Sequence, residues 1–157
     1  MTKILNLNDR QELLTVLAHW HQQQWSYLNP GETLEQRIDR MQEFLNGDLI
    51  PSTYIAMGDT LLGSAALVRN DMDTNTSFTP WLASVFVLPD YRNQGIGSSL
   101  VRHVMQQARQ GGIDKLFLYT PDSSAFYRSL GWNPVITELY QGHEVTIMEA
   151  DLTKARD

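Results

Sequence analysis

Residues 91–100 read YRNQGIGSSL, and this stretch decides the fold. It follows an apolar run, WLASVFVL at residues 81–88, and precedes a pattern in which apolar residues recur every four positions from Ile96. The run predicts a buried strand and the pattern predicts a helix, so the two glycines lie at a strand-to-helix junction. Such a junction presents unpaired backbone N–H groups and the positive end of a helix dipole. Because glycine also lets a phosphate approach closely, we expect an anion-binding turn.

Two common phosphate-binding motifs do not match this turn. A kinase-type phosphate loop requires a lysine after its last glycine, but Ser98 follows Gly97. A dinucleotide fingerprint starts at the strand end and has a third glycine, whereas PDYRNQ separates Leu88 from Gly95 and Leu100 stands at the third position. The remaining alternative is a tight turn in which the glycines are only structural.

Hydrophobic periodicity and turn residues outline the rest of the chain. We expect strands over 3–8, 52–57, 61–69, 81–88, 115–120, 132–140 and 143–152, and helices over 9–25, 34–46, 96–110 and 122–131. Asn8–Asp9 is the expected cap of the first helix, and Asp122 or Ser123 that of the last. The order β-α-α-β-β-β-α-β-α-β-β predicts an α/β (α+β) fold with a mixed, mostly antiparallel sheet flanked by helices. No linker divides the chain, so residues 1–157 are expected to form a single domain.

The composition limits the classes of function. The chain has 157 residues, 42% of them hydrophobic, and a formal net charge of -6, which argues against a nucleic-acid partner. The absence of cysteine excludes thiolate nucleophiles and Cys-ligated metals and is compatible with a cytoplasmic location. His19 and His21 lie two apart on a helix and face different directions, so no metal site is expected. No long apolar run or leader pattern suggests a membrane partner or secretion.

Two motifs resemble those of a known family. The spacing Arg92-x-x-Gly95-x-Gly97 resembles the R/Q-x-x-G-x-G/A motif of the GNAT superfamily of N-acetyltransferases, and AFYRSLGW at 125–132 resembles its later FYxxxGF segment. VFVLPDYRNQGIGSSLV at 85–101 is similar to the family's fourth strand, pyrophosphate loop and third helix. The element order also matches, so the resemblance covers essentially the whole chain. It implies acetyl-CoA as cosubstrate and direct acetyl transfer to a primary amine of a small molecule.

The resemblance also implies residues for the donor half of the reaction. In the family the strand backbone pairs with the pantetheine arm, and the loop amides hold the pyrophosphate. The implied cofactor-binding residues are Val85, Phe86, Val87, Arg92, Asn93, Gln94, Gly95, Ile96, Gly97 and Ser98. The strand side chains are apolar and would be core in any fold, so only their backbone is implied. Tyr127 matches the tyrosine that protonates the departing thiolate, because a phenol (pKa about 10) stays protonated where a thiol (about 8.5) ionises.

The sequence departs from the family pattern at the general base. Some members use a glutamate on the fourth or fifth strand, but neither WLASVFVL nor KLFLYT contains a carboxylate. The candidates are Asp71, Asp73, Glu138 and His143, or a chain of water molecules. The segment TPDSSAFY at 120–127 also lacks an asparagine that contacts the cofactor in many members, so no such contact is transferred.

Substrate recognition in the family comes from the first two helices, their junction and the closing hairpin. The junction here reads WHQQQWSYLNPGETLEQ at residues 20–36, in which Trp25 and Tyr27 are suited to cation-π contact with an amine, or equally to packing. Asp71 and Asp73 are the acidic candidates for the same site. The alternatives are an acetyltransferase of protein N-termini or lysines and a non-catalytic acyl-CoA-binding module, and a homodimer is the candidate assembly.

Overall fold

The computed structural model describes residues 2–153, and the helices and strands within them follow the predicted order. The strands are β1 (Lys3–Asn6), β2 (Ser52–Met57), β3 (Leu61–Val68), β4 (Trp81–Val87), β5 (Lys115–Thr120), β6 (Asn133–Tyr140) and β7 (His143–Asp151). The α-helices are α1 (Leu14–Trp25), α2 (Leu34–Met41), α3 (Ile96–Gln110) and α4 (Ser124–Ser129). The predicted fold class is therefore confirmed.

The first helix begins later than predicted. Two short 3-10 helices, Leu7–Asp9 and Gln11–Leu13, occupy the region expected to be its first turns. The expected cap at Asn8 is wrong because the side chain of Asn6 accepts a hydrogen bond from the Asn8 N–H at 2.9 Å, which caps the 3-10 helix instead. Arg10, with an extended φ of -141°, then interrupts the helical backbone.

The second helix has a cap that periodicity alone did not reveal. Thr33 accepts from the Gln36 N–H at 3.1 Å, and the Gln36 side chain accepts from the Thr33 N–H at 2.9 Å. This reciprocal capping box fixes the start of α2 and therefore the direction of its side chains. At the last helix the N-cap is Ser123 as predicted, but its hydroxyl donates to Asp122 (3.0 Å) and makes no cap hydrogen bond.

The seven strands form one sheet in the order β1-β2-β3-β4-β5-β7-β6. Every neighbouring pair is antiparallel except β4 and β5, which are parallel. Trp81 and Phe117 form the register pair between β4 and β5 in the described part of the chain. Because the two strands separate beyond this pair, a gap opens between the carboxyl half of β4 and β5.

Helices cover both faces of the sheet. Tyr54 and Ala56 on β2 belong to a buried cluster with the apolar face of α3, whereas Ile55 between them belongs to a cluster with α1 and α2. This alternation is the period-two pattern of a strand that is buried on both faces. The helix pair α1–α2 and the pair α3–α4 therefore lie on opposite sides, with the β4–β5 gap between them.

A bulge changes which residues of β4 face which side. The pairing with β3 moves from Ser64↔Phe86 to Ala66↔Ala83, so two steps on β3 match three steps on β4. Ser84 lies within the extra step and has a positive φ of 53°. The inserted residue places Val85 on the same face as Leu82, although strict alternation would put them on opposite faces.

Candidate active site

The turn between β4 and α3 has the backbone geometry of an anion-binding turn. Asn93 and Gly95 both have positive φ, 64° and 85°, and α3 begins at Ile96. The Ser99 N–H donates to the Gly95 carbonyl at 3.0 Å, which is the first hydrogen bond of the helix. The N–H groups that precede Ser99 are therefore the unsatisfied donors of a helix start, and they are available to a phosphate.

A cavity of about 450 Å³, which we call the donor cavity, lies against this turn. It is bounded by the end of β4, the turn and α4. The predicted cofactor residues that line it are Val85, Phe86, Val87, Arg92, Asn93, Gly95, Ile96, Gly97 and Ser98. Gln94 instead lines a separate cavity of about 190 Å³ with Thr2 and Ile4. The turn thus directs the Gln94 side chain away from the donor cavity.

Arg92 braces the turn. Its Nε donates to the Val87 carbonyl at 2.8 Å, and its guanidinium lies 5.8 Å from the centre of the Phe86 ring. The Phe86 ring also packs against Trp20 at a centroid distance of 5.6 Å. The Phe86 side chain is therefore part of the core, and the Val87 carbonyl already has a donor.

Gly97 lies in the wall of the donor cavity, close to Phe126 and Val87. A Cβ added at Gly97 would lie 3.5 Å from Phe126 Cζ and 3.7 Å from Val87 Cγ2, in ordinary contact with both. The space directly beside Gly97 therefore accommodates a methyl group, and a larger side chain would have to extend into the cavity or displace these neighbours. With the N–H groups of the turn on one side and apolar walls on the other, the donor cavity suits a pyrophosphate joined to a slender arm.

A second cavity, of about 250 Å³, opens into the β4–β5 gap, and we call it the acceptor cavity. Trp25, Tyr27 and Asp71 line it, as do Tyr119 on β5 and the Leu82–Val85 segment. The acceptor and donor cavities share five lining residues, Gln24, Val85, Asp122, Ser123 and Tyr127. The two cavities therefore meet, and Tyr127 lies at their junction.

Tyr127 is buried and protonated at neutral pH. Its exposed fraction is 8%, and its ring packs against Phe126 and Trp132 at centroid distances of 5.0 and 6.2 Å. Burial raises the pKa of the Tyr127 phenol, and the charges of Asp122 and Asp71 raise it further. The hydroxyl can therefore donate a proton or a hydrogen bond at the point where the cavities meet.

Asp71 is the one base candidate that the structure places in the acceptor cavity. Burial raises the pKa of its carboxyl to about 7, against the opposing effect of Arg40 and Arg37. A carboxylate with this pKa exchanges protons readily near neutral pH. Its position and its pKa together fit a general base.

The other three base candidates lie elsewhere among the described residues. The Asp73 N–H donates to the Tyr140 hydroxyl at 3.3 Å, and Glu138 accepts from Asn75 Nδ2 at 2.8 Å. The His143 ring packs edge-on against Tyr27 at 4.8 Å. Asp73, Glu138 and His143 do not line either cavity.

Sequence reasoning missed two arginines of the acceptor cavity. Arg37 and Arg40 lie three apart on α2, and both line this cavity. The available signal was their spacing, which places them on one helix face. Which way that face points depends on the capping box and on the packing of α2 against α1, and neither follows from periodicity.

Comparison with known proteins identifies the family. The acetyltransferase (GNAT) family model matches residues 14–132. This match covers more than half of the chain, so the chain belongs to the GNAT family, a family of acyltransferases, as its motifs predict.

Curated relatives are amino-acid acetyltransferases. The protein from Edwardsiella ictaluri is 29% identical over 134 residues, which are 85% of this chain and 27% of the relative. The Escherichia coli K12 protein is 29% identical over 133 residues, again 85% of this chain and 27% of the relative. The chain thus matches only about a quarter of the length of these relatives, 27% in each case.

Solved structures share the fold at lower identity. An aminoglycoside 6'-acetyltransferase type Ii aligns with a TM-score of 0.73 and 17% identity over 99% of both chains. An acetyltransferase from Salmonella typhimurium, solved with its cofactor acetyl-CoA, aligns with a TM-score of 0.73 and 13% identity over 99% of this chain and 96% of the other.

Between residues 2 and 153, no helix is long and apolar enough to cross a membrane. Over the same range, no group of three or more His, Asp or Glu side chains is arranged to hold a metal ion.

Proposed function

We propose that this protein transfers the acetyl group of acetyl-CoA directly to the primary amine of a small molecule. The observation that carries the proposal is the meeting of two cavities at Tyr127, one beside an anion-binding turn and the other beside a carboxylate with a pKa near 7. Family membership supports it, as do relatives named for acetylating amino acids and aminoglycosides.

The donor cavity accounts for cofactor binding. Acetyl-CoA would supply the acetyl group as a thioester, an acyl donor that an amine can attack. The backbone N–H groups between Asn93 and Ser98 hold its pyrophosphate, and the side of β4 that faces the gap offers backbone groups to the amide-bearing arm. Arg92 acts here by fixing the turn to Val87, because its Nε is already bonded to that carbonyl.

The acceptor cavity accounts for the proton transfers. An amine attacks a thioester only when it is neutral, and Asp71 accepts the proton that it must lose. As the C–S bond breaks, Tyr127 donates its proton to the departing sulfur, since its raised pKa keeps the phenol protonated. The attacking nitrogen loses its second proton as the amide forms, and that proton restores the phenol. The chain contains no cysteine, and the two adjoining cavities let donor and acceptor meet without a covalent enzyme intermediate.

The test is release of free CoA thiol from acetyl-CoA in the presence of amino acids, polyamines, aminoglycosides and peptides. We expect turnover with a small amine and an acetylated product of matching mass. Peptides that outcompete every small amine would instead indicate an acetyltransferase of protein N-termini or lysines. Tight acetyl-CoA binding without turnover of any acceptor would indicate a binding module.

A further inference from the structure

The acceptor cavity has two arginines on the wall that lies away from the donor cavity. Arg37 and Arg40 line it, and they also line an adjoining cavity of about 310 Å³ that contains His21 and Glu43. Neither arginine lines the donor cavity, whereas Tyr127 and Asp122 line both the donor and the acceptor cavity. The acceptor cavity therefore has an acetyl-transfer end and an arginine end.

Arg37 is a buried guanidinium with unused hydrogen-bonding capacity. The residue is 4% exposed, and its Nε donates to Gln22 Oε1 at 3.1 Å. Its Nη2 lies 3.1 Å from Glu32 Oε1, but that nitrogen makes no hydrogen bond to any described residue. Nη2 has no contact with solvent, so it faces Glu32 and is out of reach of a ligand. The Nη1 nitrogen makes no hydrogen bond to any described residue, and Arg37 lines the acceptor cavity, so a ligand there can provide an acceptor for Nη1.

The Glu32 carboxylate accepts well-directed hydrogen bonds from Arg40 but not from Arg37. Arg40 donates to it twice, from Nε at 2.8 Å and from Nη2 at 3.1 Å. This two-point pairing orients the Glu32 carboxylate toward Arg40 and leaves Arg37 with a contact that is close but poorly directed. One carboxylate therefore faces two guanidinium groups. The other nearby acid, Asp71, carries only part of a negative charge at neutral pH, because burial raises its pKa to about 7.

We propose that Arg37, assisted by Arg40, binds a carboxylate group of the acceptor, so that the amine substrate is an amino acid. This inference rests on the proposed function and names its substrate class. A guanidinium matches a carboxylate in shape and charge, and it binds one most strongly when it is withdrawn from water. Asp71 shares the cavity with both arginines. A short amino acid can therefore present its amine to Asp71 while its carboxylate contacts Arg37.

The experiment compares amines that differ only in the carboxylate. The pairs are glycine with ethanolamine, β-alanine with 3-aminopropanol, and 4-aminobutyrate with 4-aminobutanol, with glutamate and O-phosphoethanolamine as further acceptors. We expect the best amino acid to exceed its amino alcohol about 30-fold or more in kcat/KM, as for a charge-assisted hydrogen bond in a buried site. Equal rates within the pairs, or preference for the phosphate, would overturn the carboxylate assignment.

Variants separate recognition from structure. Arg37→Gln should raise KM for amino acids by about 30-fold or more and change amino alcohol kinetics by less than about 3-fold. If Arg37→Gln lowers the melting temperature too far for kinetics, Arg40→Gln provides the same test, because the Arg40 side chain is half-exposed and its loss should disturb the fold less. Arg10→Gln is the matched control, since Arg10 pairs with Glu12 on the surface and lines neither cavity. Equal losses of activity with amino acids and with amino alcohols would mean that the arginines have only a structural role.

A binding measurement keeps this inference separate from the proposed function. Calorimetry of the CoA-loaded protein with the same amino acids should show binding that Arg37→Gln and Arg40→Gln abolish, whether or not acetyl transfer occurs. Arginine-dependent binding without turnover would contradict the proposed function and retain the carboxylate site. Turnover of amino alcohols and amino acids alike would retain the function and overturn the site.

Discussion

The imidazole Nε2 of His21 lies 2.9 Å from the Ser64 hydroxyl, which links α1 to the strand opposite the bulge of β4, where Ser84 lines the acceptor cavity. The Ser64 hydroxyl donates its single hydrogen to the Ser84 carbonyl at 3.1 Å, so Nε2 must be the donor to Ser64. Burial, together with smaller effects of Arg37 and Arg40, lowers the pKa of His21 to about 3, so the ring is neutral. A neutral, buried chain of two hydrogen bonds thus fixes the bulged residue of β4.

Replacing Ser64 should therefore affect both stability and the donor cavity. Ser64→Ala leaves the His21 N–H and the Ser84 carbonyl without their partner, which we expect to lower the free energy of unfolding by about 1–3 kcal/mol. Because Val85 follows the bulge and lines both cavities, the Kd for acetyl-CoA should also rise. Urea denaturation and calorimetry measure the two effects. Ser99→Ala, on the exposed side of α3, is the control, and an equal effect there would contradict a role for the bulge.

Titration of the Asp71 carboxyl should set the acidic limb of the pH–rate profile. Its pKa is raised to about 7, and it must be deprotonated to accept a proton, so kcat/KM should rise with pH through about 7 and then level off. The charged or titratable residues that interact electrostatically with Asp71 are Arg37, Arg40, Tyr119 and Tyr127. Neither tyrosine ionises near pH 7, because burial raises the pKa of each phenol.

Removing the base tests that assignment. Asp71→Asn should lower kcat/KM by about 100-fold or more and abolish the limb near pH 7. Asp73→Asn is the matched control, since Asp73 lies two residues away and does not line the acceptor cavity. An unchanged profile in Asp71→Asn, or an equal loss in Asp73→Asn, would mean that a different group takes the proton.

Tyr127 should act in the chemical step and contribute little to cofactor affinity. Tyr127→Phe keeps the ring that packs against Trp132 and removes the hydroxyl, so we expect kcat to fall about 100-fold while the Kd for acetyl-CoA changes little. Single-turnover kinetics and calorimetry separate these quantities. Tyr140→Phe is the control, because its hydroxyl accepts from the Asp73 N–H and lines neither cavity. Normal turnover by Tyr127→Phe would exclude it as the acid.

The sequence places the candidate donor residues in one local turn, but it does not reveal which residues line the acceptor cavity, for a physical reason. Gly95 and Gly97 belong to a local turn between adjacent elements, so their spacing alone indicates its backbone. Arg37, Asp71 and Tyr119 come from three distant segments, and only the packed sheet and helices bring them together. No short-range pattern encodes such a meeting.

The bulge in β4 is another feature that the local sequence does not predict. WLASVFVL indicates a buried strand, but nothing in it marks Ser84 as the residue with positive φ. The bulge depends on its partner strand, where Ser64 supplies the hydrogen bond. In contrast, the capping box of Thr33 and Gln36 has a local signature that periodicity does not use, a Thr-x-x-Gln spacing within one turn.

The two glycines of the turn should respond differently to alanine. Gly95 has a φ of 85°, so Gly95→Ala strains the backbone and should cost about 1 kcal/mol of stability, which makes its effect on binding hard to interpret. Gly97 is helical, and a Cβ there makes only ordinary contacts with Phe126 and Val87. Gly97→Ala should therefore leave the melting temperature unchanged or raise it, because alanine favours a helix.

The family motif permits alanine at the position of Gly97, so Gly97→Ala should change the Kd for acetyl-CoA little. A larger side chain should enter the donor cavity that we assign to the pyrophosphate and its arm. We expect Gly97→Leu to raise the Kd for acetyl-CoA about 10-fold or more, a loss of about 1.4 kcal/mol. Calorimetry with CoA and a parallel thermal melt measure both quantities, and Gln106→Ala on the exposed side of α3 controls for general changes in the helix. Unchanged affinity in a folded Gly97→Leu protein would mean that the phosphate-bearing chain does not lie beside Gly97.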